Sequence, residues 1–163
     1  MAIALLTLAL AGTLALGGTV VAGYLLHGGA VGMKLHFLAA LGTTTLLVMA
    51  HSFIMFFLIA TGVELKEMEK AGGWGDSFRR RTIALKARVF PTMTLALLLV
   101  IANFVVGAAV HTRALPSWAH EGLAWATLVA CVVAVRREYL VLGDNNRLIG
   151  EAGERRRMDV TGG

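Results

Sequence analysis

The stretch from Leu35 to Val63, LHFLAALGTTTLLVMAHSFIMFFLIATGV, decides the fold class of this chain. It runs for 29 residues without an Asp, Glu, Lys or Arg. A helix needs about 20 apolar residues to cross a hydrocarbon core about 30 Å thick, so this stretch predicts a membrane-spanning helix. It also contains two histidines, His36 and His51, and their purpose is the main question that the sequence raises.

Three further apolar segments of similar length flank this one. The chain has 163 residues, of which 57% are hydrophobic, and its mean hydropathy is +0.73, which excludes an ordinary soluble domain. The first segment has no Lys or Arg at its start and is too long for a signal peptide. We therefore predict an all-α, integral membrane bundle of four transmembrane helices that forms a single domain, 1–163. The predicted spans are 2–26, 35–63, 89–112 and 115–135.

The basic residues predict the orientation of these spans. Of the 15 Lys and Arg residues, thirteen lie in the loop 64–88 or the tail 136–163, and only Lys34 and Arg113 lie in the other two loops. Cytoplasmic loops keep an excess of Lys and Arg, so we expect both termini to be cytoplasmic in a multi-pass protein of the cell inner membrane. Membrane topology explains the net charge of +5 without nucleic acid as a partner.

The two cytoplasmic segments carry further expectations. The helix of the second span should continue past the membrane and break at GGWG, 72–75, before a second helical segment leads into the third span. The tail should turn at LGDNN, 142–146. The last residues, GERRRMDVTGG, 153–163, are polar and flanked by glycine, so we expect them to be loosely ordered unless a partner holds them.

Small and polar residues inside the spans predict helix contacts. Ala9, Thr13 and Gly17 recur at a spacing of four residues, which favours close packing of the first span against another helix. Asn103, in the middle of the third span, predicts an interhelical hydrogen bond. A packing face of this kind also suits a protein that assembles with other membrane subunits.

Four of the five histidines lie at the outer ends of the predicted spans. His36 begins the second span and His120 the fourth, whereas His27 ends the first and His111 the third. A histidine at a membrane interface is ordinary because its ring can reach water, and this interpretation suits His27 and His111 and is also open for His36 and His120. His36 with either His111 or His120 is alternatively a candidate pair of axial ligands for a haem held between helices.

His51 differs because it lies in the interior of its span. It follows His36 by 15 residues, which places it about 22 Å deeper and about 60° around the helix. An ionisable group at this depth is costly unless it has a partner. The partner is either a haem, with Met93 as the nearest candidate for a second ligand, or a hydrogen bond to a neighbouring helix or subunit.

The histidine pattern and two longer motifs resemble known haem proteins. Two histidines about one leaflet apart on a single helix resemble the b-type cytochromes of respiratory membranes. RVFPTMTLALLLVIANFVVG, 88–107, and LPSWAHEGLAWATLVA, 115–130, are similar to segments of the HemJ-type protoporphyrinogen oxidase and copper-resistance-D-like group. That resemblance implies that His36 and His120 bind the haem iron, and it implies a porphyrinogen-oxidising activity.

Two functions from different classes follow. The first is a small membrane redox protein that binds haem b and passes electrons between a quinone or protein partner and an acceptor at the outer face. The alternative is a non-catalytic accessory transmembrane subunit of a larger photosynthetic or respiratory complex. The sequence has no Cys-rich metal site, no nucleophile elbow and no phosphate-binding loop, so it assigns no catalytic residue and does not decide whether the protein is an enzyme.

Overall fold

The computed structural model describes residues 1–27, 29 and 32–161, which form four long α-helices without a strand among them. The helices are α1, Ala2–His27; α2, Met33–Gly72; α3, Ser77–His111; and α4, Ser117–Thr161. Each contains a segment long and apolar enough to cross a membrane. The all-α class is therefore confirmed, and the four helices are compatible with a multi-pass membrane protein in contact with lipid.

The break between α2 and α3 falls where the glycines predict it. Gly73 ends α2 with φ of 66°, in the left-handed region, and its N–H bonds to the carbonyl groups of Glu69 and Lys70. Gly75 also has a positive φ, of 82°. A side chain at Gly72 would place its Cβ 2.2 Å from the indole of Trp74, so the turn requires glycine there for space.

Consecutive helices run antiparallel, because the turns between them are short. Gly12 of α1 lies beside Leu47 of α2, and Thr19 of α1 lies beside Thr43 of α2. Residue numbers rise along one helix as they fall along the other, so the two helices are antiparallel. It follows that α2 and α4 run parallel. These two helices also contact each other across the centre of the bundle, whereas α1 and α3 have no such contact among the described residues.

The two ends of the bundle differ, and we name them by their composition. The histidine end is where α1 and α3 finish and α2 and α4 begin, and the charged end is the opposite one. At 1.5 Å per residue the 40 residues of α2 measure about 60 Å and the 45 residues of α4 about 68 Å, roughly twice a hydrocarbon core. Because α1 is shorter than the other helices, the charged end consists of α2, α3 and α4 alone, and we call this part the three-helix extension.

The expectation of a loosely ordered tail is wrong for residues 153–161, which are helical. α4 continues without a turn through LGDNN and remains helical to Thr161. Leu142, Asn145, Leu148 and Ala152 recur at helical spacing and are buried, so this segment has a core-facing side that its polar composition concealed. Three contacts with the α2–α3 region hold its outer side: Arg88 with Asp144 at 3.1 Å, Arg81 with Glu151, and Trp74 Nε1 with Asp159 Oδ2 at 2.6 Å.

The predicted small-residue face of α1 is correct only in part. Ala9 and Thr13 are buried, but a Cβ on Gly17 would meet no atom within 4 Å. The close approach is instead at Gly12, where a Cβ would lie 2.9 Å from Leu47 Cδ2. Gly17 is only partly buried, since it lies about 140° around the helix from Gly12.

Candidate functional site

A cavity of about 800 Å³ opens at the histidine end, where all four helices contribute to its wall. Most of its lining is apolar, including Val20, Phe37, Phe104 and Ala124. Pockets that bind cofactors or small molecules typically have volumes of about 300 to 1,000 Å³ and apolar walls with a few polar groups. The cavity therefore has the size and composition of a binding site.

His36 of α2 and His120 of α4 face each other in this cavity. Their ring centres lie 6.5 Å apart, with the ring planes at 83° to each other. Two imidazoles that bind one metal ion from opposite sides, each through a bond of about 2.0 Å, have ring centres roughly 6 to 6.5 Å apart. The pair that the resemblance implied is thus brought together at a separation that suits axial ligands, because α2 and α4 run parallel and begin at the same level.

Glycines on the other two helices make room for both rings. A Cβ on Gly23 of α1 would lie 3.3 Å from Cε1 of His36, and a Cβ on Gly107 of α3 would lie 2.9 Å from Cε1 of His120. The ring of His120 also lies against the backbone of Asn103. The sequence analysis did not identify these two glycines, since only the packed bundle shows which glycine opposes which histidine.

Two polar atoms in the cavity wall have no hydrogen-bond partner within the described part of the chain. They are Nδ1 of His120 and Oδ1 of Asn103, and both are shielded from solvent. Buried polar atoms are normally paired, so these two atoms are exceptions in the structure. The interhelical hydrogen bond expected of Asn103 is not made by its Oδ1, and Asn103 is part of the cavity lining, which the sequence analysis did not predict.

His111, the other predicted partner of His36, lies at the rim. It is the last residue of α3, is exposed, and lines the same cavity. The ring contact of His36 is with His120. His27 was expected to be interfacial, and its side chain lies outside the described residues.

On the side toward the charged end, a layer of buried apolar residues separates the cavity from the interior of the bundle. The apolar layer consists of Leu16, Leu47, Ala96, Val100, Cys131 and Ala134, all buried. Thr19 and Thr43 share a hydrogen bond of 3.2 Å just above it. The floor of the cavity is therefore closed by packed side chains, and a ligand in it would be held at the histidine end of the bundle.

His51 lies on the other side of the apolar layer and has a partner in the chain. Its Nδ1 is 2.5 Å from Oε1 of Glu138 on α4, and both side chains are fully buried. Of the two alternatives left open by the sequence, the structure contains the hydrogen bond to a neighbouring helix. Neither His51 nor Met93 lines the cavity, and Met93 is fully enclosed by the core.

Glu138 was missed because it directly follows Arg136 and Arg137, which mark it as part of a charged tail. The available signal was periodicity: Thr127, Cys131, Ala134, Glu138, Val141 and Asn145 follow one helical face and are all buried. Thr61 and Asn145 form a second α2–α4 bond, of 3.2 Å, further along the same face.

Other metal chemistry finds little support in the described residues, since no group of three or more His, Cys, Asp or Glu side chains is placed to hold an ion. A haem needs only one or two protein ligands because its porphyrin provides the others. No protein-family model, curated protein or solved structure matches this chain. The function is therefore argued from the site alone.

Proposed function

We propose that the protein is a small membrane redox protein that binds haem b between His36 and His120 and takes part in electron transfer. The observation that carries the proposal is the 6.5 Å separation of two opposed imidazoles inside a cavity of about 800 Å³. Interfacial histidines need no such cavity between them, and they need no glycines on the neighbouring helices. The proposed haem supplies one-electron chemistry when bound.

The chain's own residues have defined roles in this proposal. His36 and His120 would hold the iron from α2 and α4, while Gly23 and Gly107 keep α1 and α3 clear of the two rings. The apolar layer below excludes water from the inner side of the site. The apolar surroundings of such a site influence a haem's reduction potential.

The charge distribution supports a direction for the bundle. Thirteen Lys and Arg residues belong to the charged end, and Lys34 and Arg113 belong to the histidine end. By the positive-inside rule we place the charged end in the cytoplasm and the haem at the outer side of the cell inner membrane. Electrons would then pass between the haem and a quinone in the membrane, or another membrane subunit, near the outer face.

The test is a reduced-minus-oxidised absorption spectrum of the protein purified after expression with ample haem. We expect the Soret and α bands of a haem with two histidine ligands. His36→Ala and His120→Ala should each remove or alter these bands, whereas His111→Ala, at the rim, should leave them unchanged. A wild-type protein without a reducible haem spectrum under these conditions would overturn the proposal.

A further inference from the structure

The mouth of the cavity has two cationic residues, and we propose that Lys34 and Arg113 bind the carboxylates of a porphyrin whose ring lies in the cavity. This inference rests on the proposed function and specifies how the ligand is recognised. Lys34 and Arg113 would bind the solvent-facing edge of the ligand, whereas the two histidines would bind the iron at its centre.

The position of the two cations supports this role. Lys34 is the second residue of α2 and Arg113 lies in the turn after α3, and both are exposed residues of the cavity lining. Within the described ranges of the chain, neither belongs to an ion pair. They are also the only Lys and Arg residues in the sequence between residues 89 and 135 or before residue 66.

The backbone at Arg113 is unusual. Its φ is 62°, in the left-handed region that non-glycine residues seldom adopt, and its N–H bonds to the carbonyl of Val110 at 2.9 Å. This left-handed residue terminates α3, and the N–H of Ala114 bonds to the carbonyl of Ala109 at 2.9 Å. The turn thereby places a guanidinium group at the rim of the cavity.

The chemistry of the cavity selects a ligand with an apolar body and an anionic edge. The walls are apolar and the mouth is cationic, with Glu121 as the third charged residue of the lining and already engaged in an interaction within the protein. A quinone has no negative charge to match Lys34 and Arg113. A porphyrin with two carboxylates on one edge matches both the wall and the mouth, and guanidinium groups bind carboxylates with two parallel hydrogen bonds.

The experiment uses iron-free protoporphyrin, because its binding does not depend on iron ligation by histidine. Fluorescence titration of the full-length protein in detergent would compare protoporphyrin with its dimethyl ester, which has the same ring but no negative charge. We expect the wild type to bind the free acid about tenfold more tightly, as two solvent-exposed charge pairs would allow. The double substitution Lys34→Gln/Arg113→Gln should abolish this preference.

The matched control is Lys66→Gln/Arg147→Gln, which removes two exposed cations at the charged end. It should retain the wild-type preference for the free acid, because those residues lie far from the cavity. Equal binding of acid and ester by the wild type, no porphyrin binding at all, or the same loss in the control would each overturn the inference. Since all four residues are exposed, unfolding midpoints should stay near the wild-type value.

The two proposals can fail separately. His36→Ala/His120→Ala should eliminate the haem spectrum but leave the preference for protoporphyrin over its ester. If the preference is found and the wild type shows no reducible haem, the electron-transfer proposal fails while the recognition of porphyrin carboxylates by Lys34 and Arg113 stands.

Discussion

The two ends of the bundle contain the same kinds of polar residue in opposite circumstances. At the charged side of the apolar layer, buried polar groups pair with each other: His51 with Glu138, Thr61 with Asn145, and Glu69 with the N–H groups of Phe78 and Arg79 at the start of α3. At the histidine end, two half-buried imidazoles face each other across a cavity.

This difference separates structural histidines from candidate ligands. A buried ionisable group that meets its partner inside the chain contributes to the fold, and its removal costs stability. The rings of His36 and His120 lie beside glycines and line a cavity, so a ligand in that cavity would contact them. The comparison predicts that substitutions at the charged end act on stability and that those at the histidine end act on binding.

The largest effect should come from breaking the buried pair. Glu138→Ala leaves the fully buried His51 without its partner, and we expect a loss of about 3 to 5 kcal/mol in the free energy of unfolding. Denaturant unfolding in detergent would measure it, with the exposed Glu154→Ala on the same helix as the control. The double substitution His51→Leu/Glu138→Leu should recover much of the loss, since it removes both polar groups. A Glu138→Ala protein as stable as the Glu154→Ala control would contradict a structural role for the pair.

The next largest loss of stability should come from disturbing the packing of α2 against α3 near the charged end. A Cβ on Gly62 would lie 2.6 Å from Cγ2 of Thr82 and 3.2 Å from Nζ of Lys86. Gly62→Ala should therefore destabilise the protein by about 1 to 3 kcal/mol, because Thr82 is buried and cannot move away freely. Thermal unfolding would detect the change, and Gly143→Ala, where a Cβ meets no atom within 4 Å, is the matched control. Equal unfolding temperatures for the two variants would refute this account of the contact.

At the histidine end, the same substitution should have a different consequence. A Cβ on Gly107 would lie 2.9 Å from Cε1 of His120, but the ring can move into the cavity. We expect Gly107→Ala to change the free energy of unfolding by less than about 1 kcal/mol. Haem binding should weaken by roughly tenfold, as the ring leaves its position opposite His36. Gly122→Ala, with open space at its Cβ, should bind haem normally. A large loss of stability in Gly107→Ala would show that this end is packed as tightly as the other.

The smallest effect concerns the exposed pair of Arg81 and Glu151 on the three-helix extension. The hydrogen bond from Arg81 lowers the pKa of Glu151 below its ordinary value. A lowered carboxyl pKa gives stability that is present above the ordinary value, about 4.3, and is lost as the pH falls through the lowered one. Glu151→Gln should therefore reduce stability by less than about 1 kcal/mol at pH 7 and by less still in acid or high salt.

The check is denaturant unfolding between pH 3 and 8, with Glu154→Gln as the exposed control, which has no ion pair among the described residues. A difference from wild type that grows as the pH falls would have the wrong sign for this pair.

Hydrophobic patterning alone determined the helix count, the break at GGWG and the four apolar segments. Long uncharged runs and glycine turns are local properties, so they can be read without knowing what packs against them. The same reasoning failed for the tail, because the contacts that keep it helical come from Arg81, Arg88 and Trp74, which are distant in sequence.

Only the tertiary structure decided which polar groups meet. The sequence placed His36, His111 and His120 at one level, and the parallel arrangement of α2 and α4 brought His36 to His120 and left His111 at the rim. The same parallel arrangement gave His51 a partner in Glu138, a residue that the sequence analysis had assigned to the cytoplasmic tail. Helix periodicity fixes the direction of a side chain around its own axis, but the facing residue depends on how neighbouring helices are rotated and aligned.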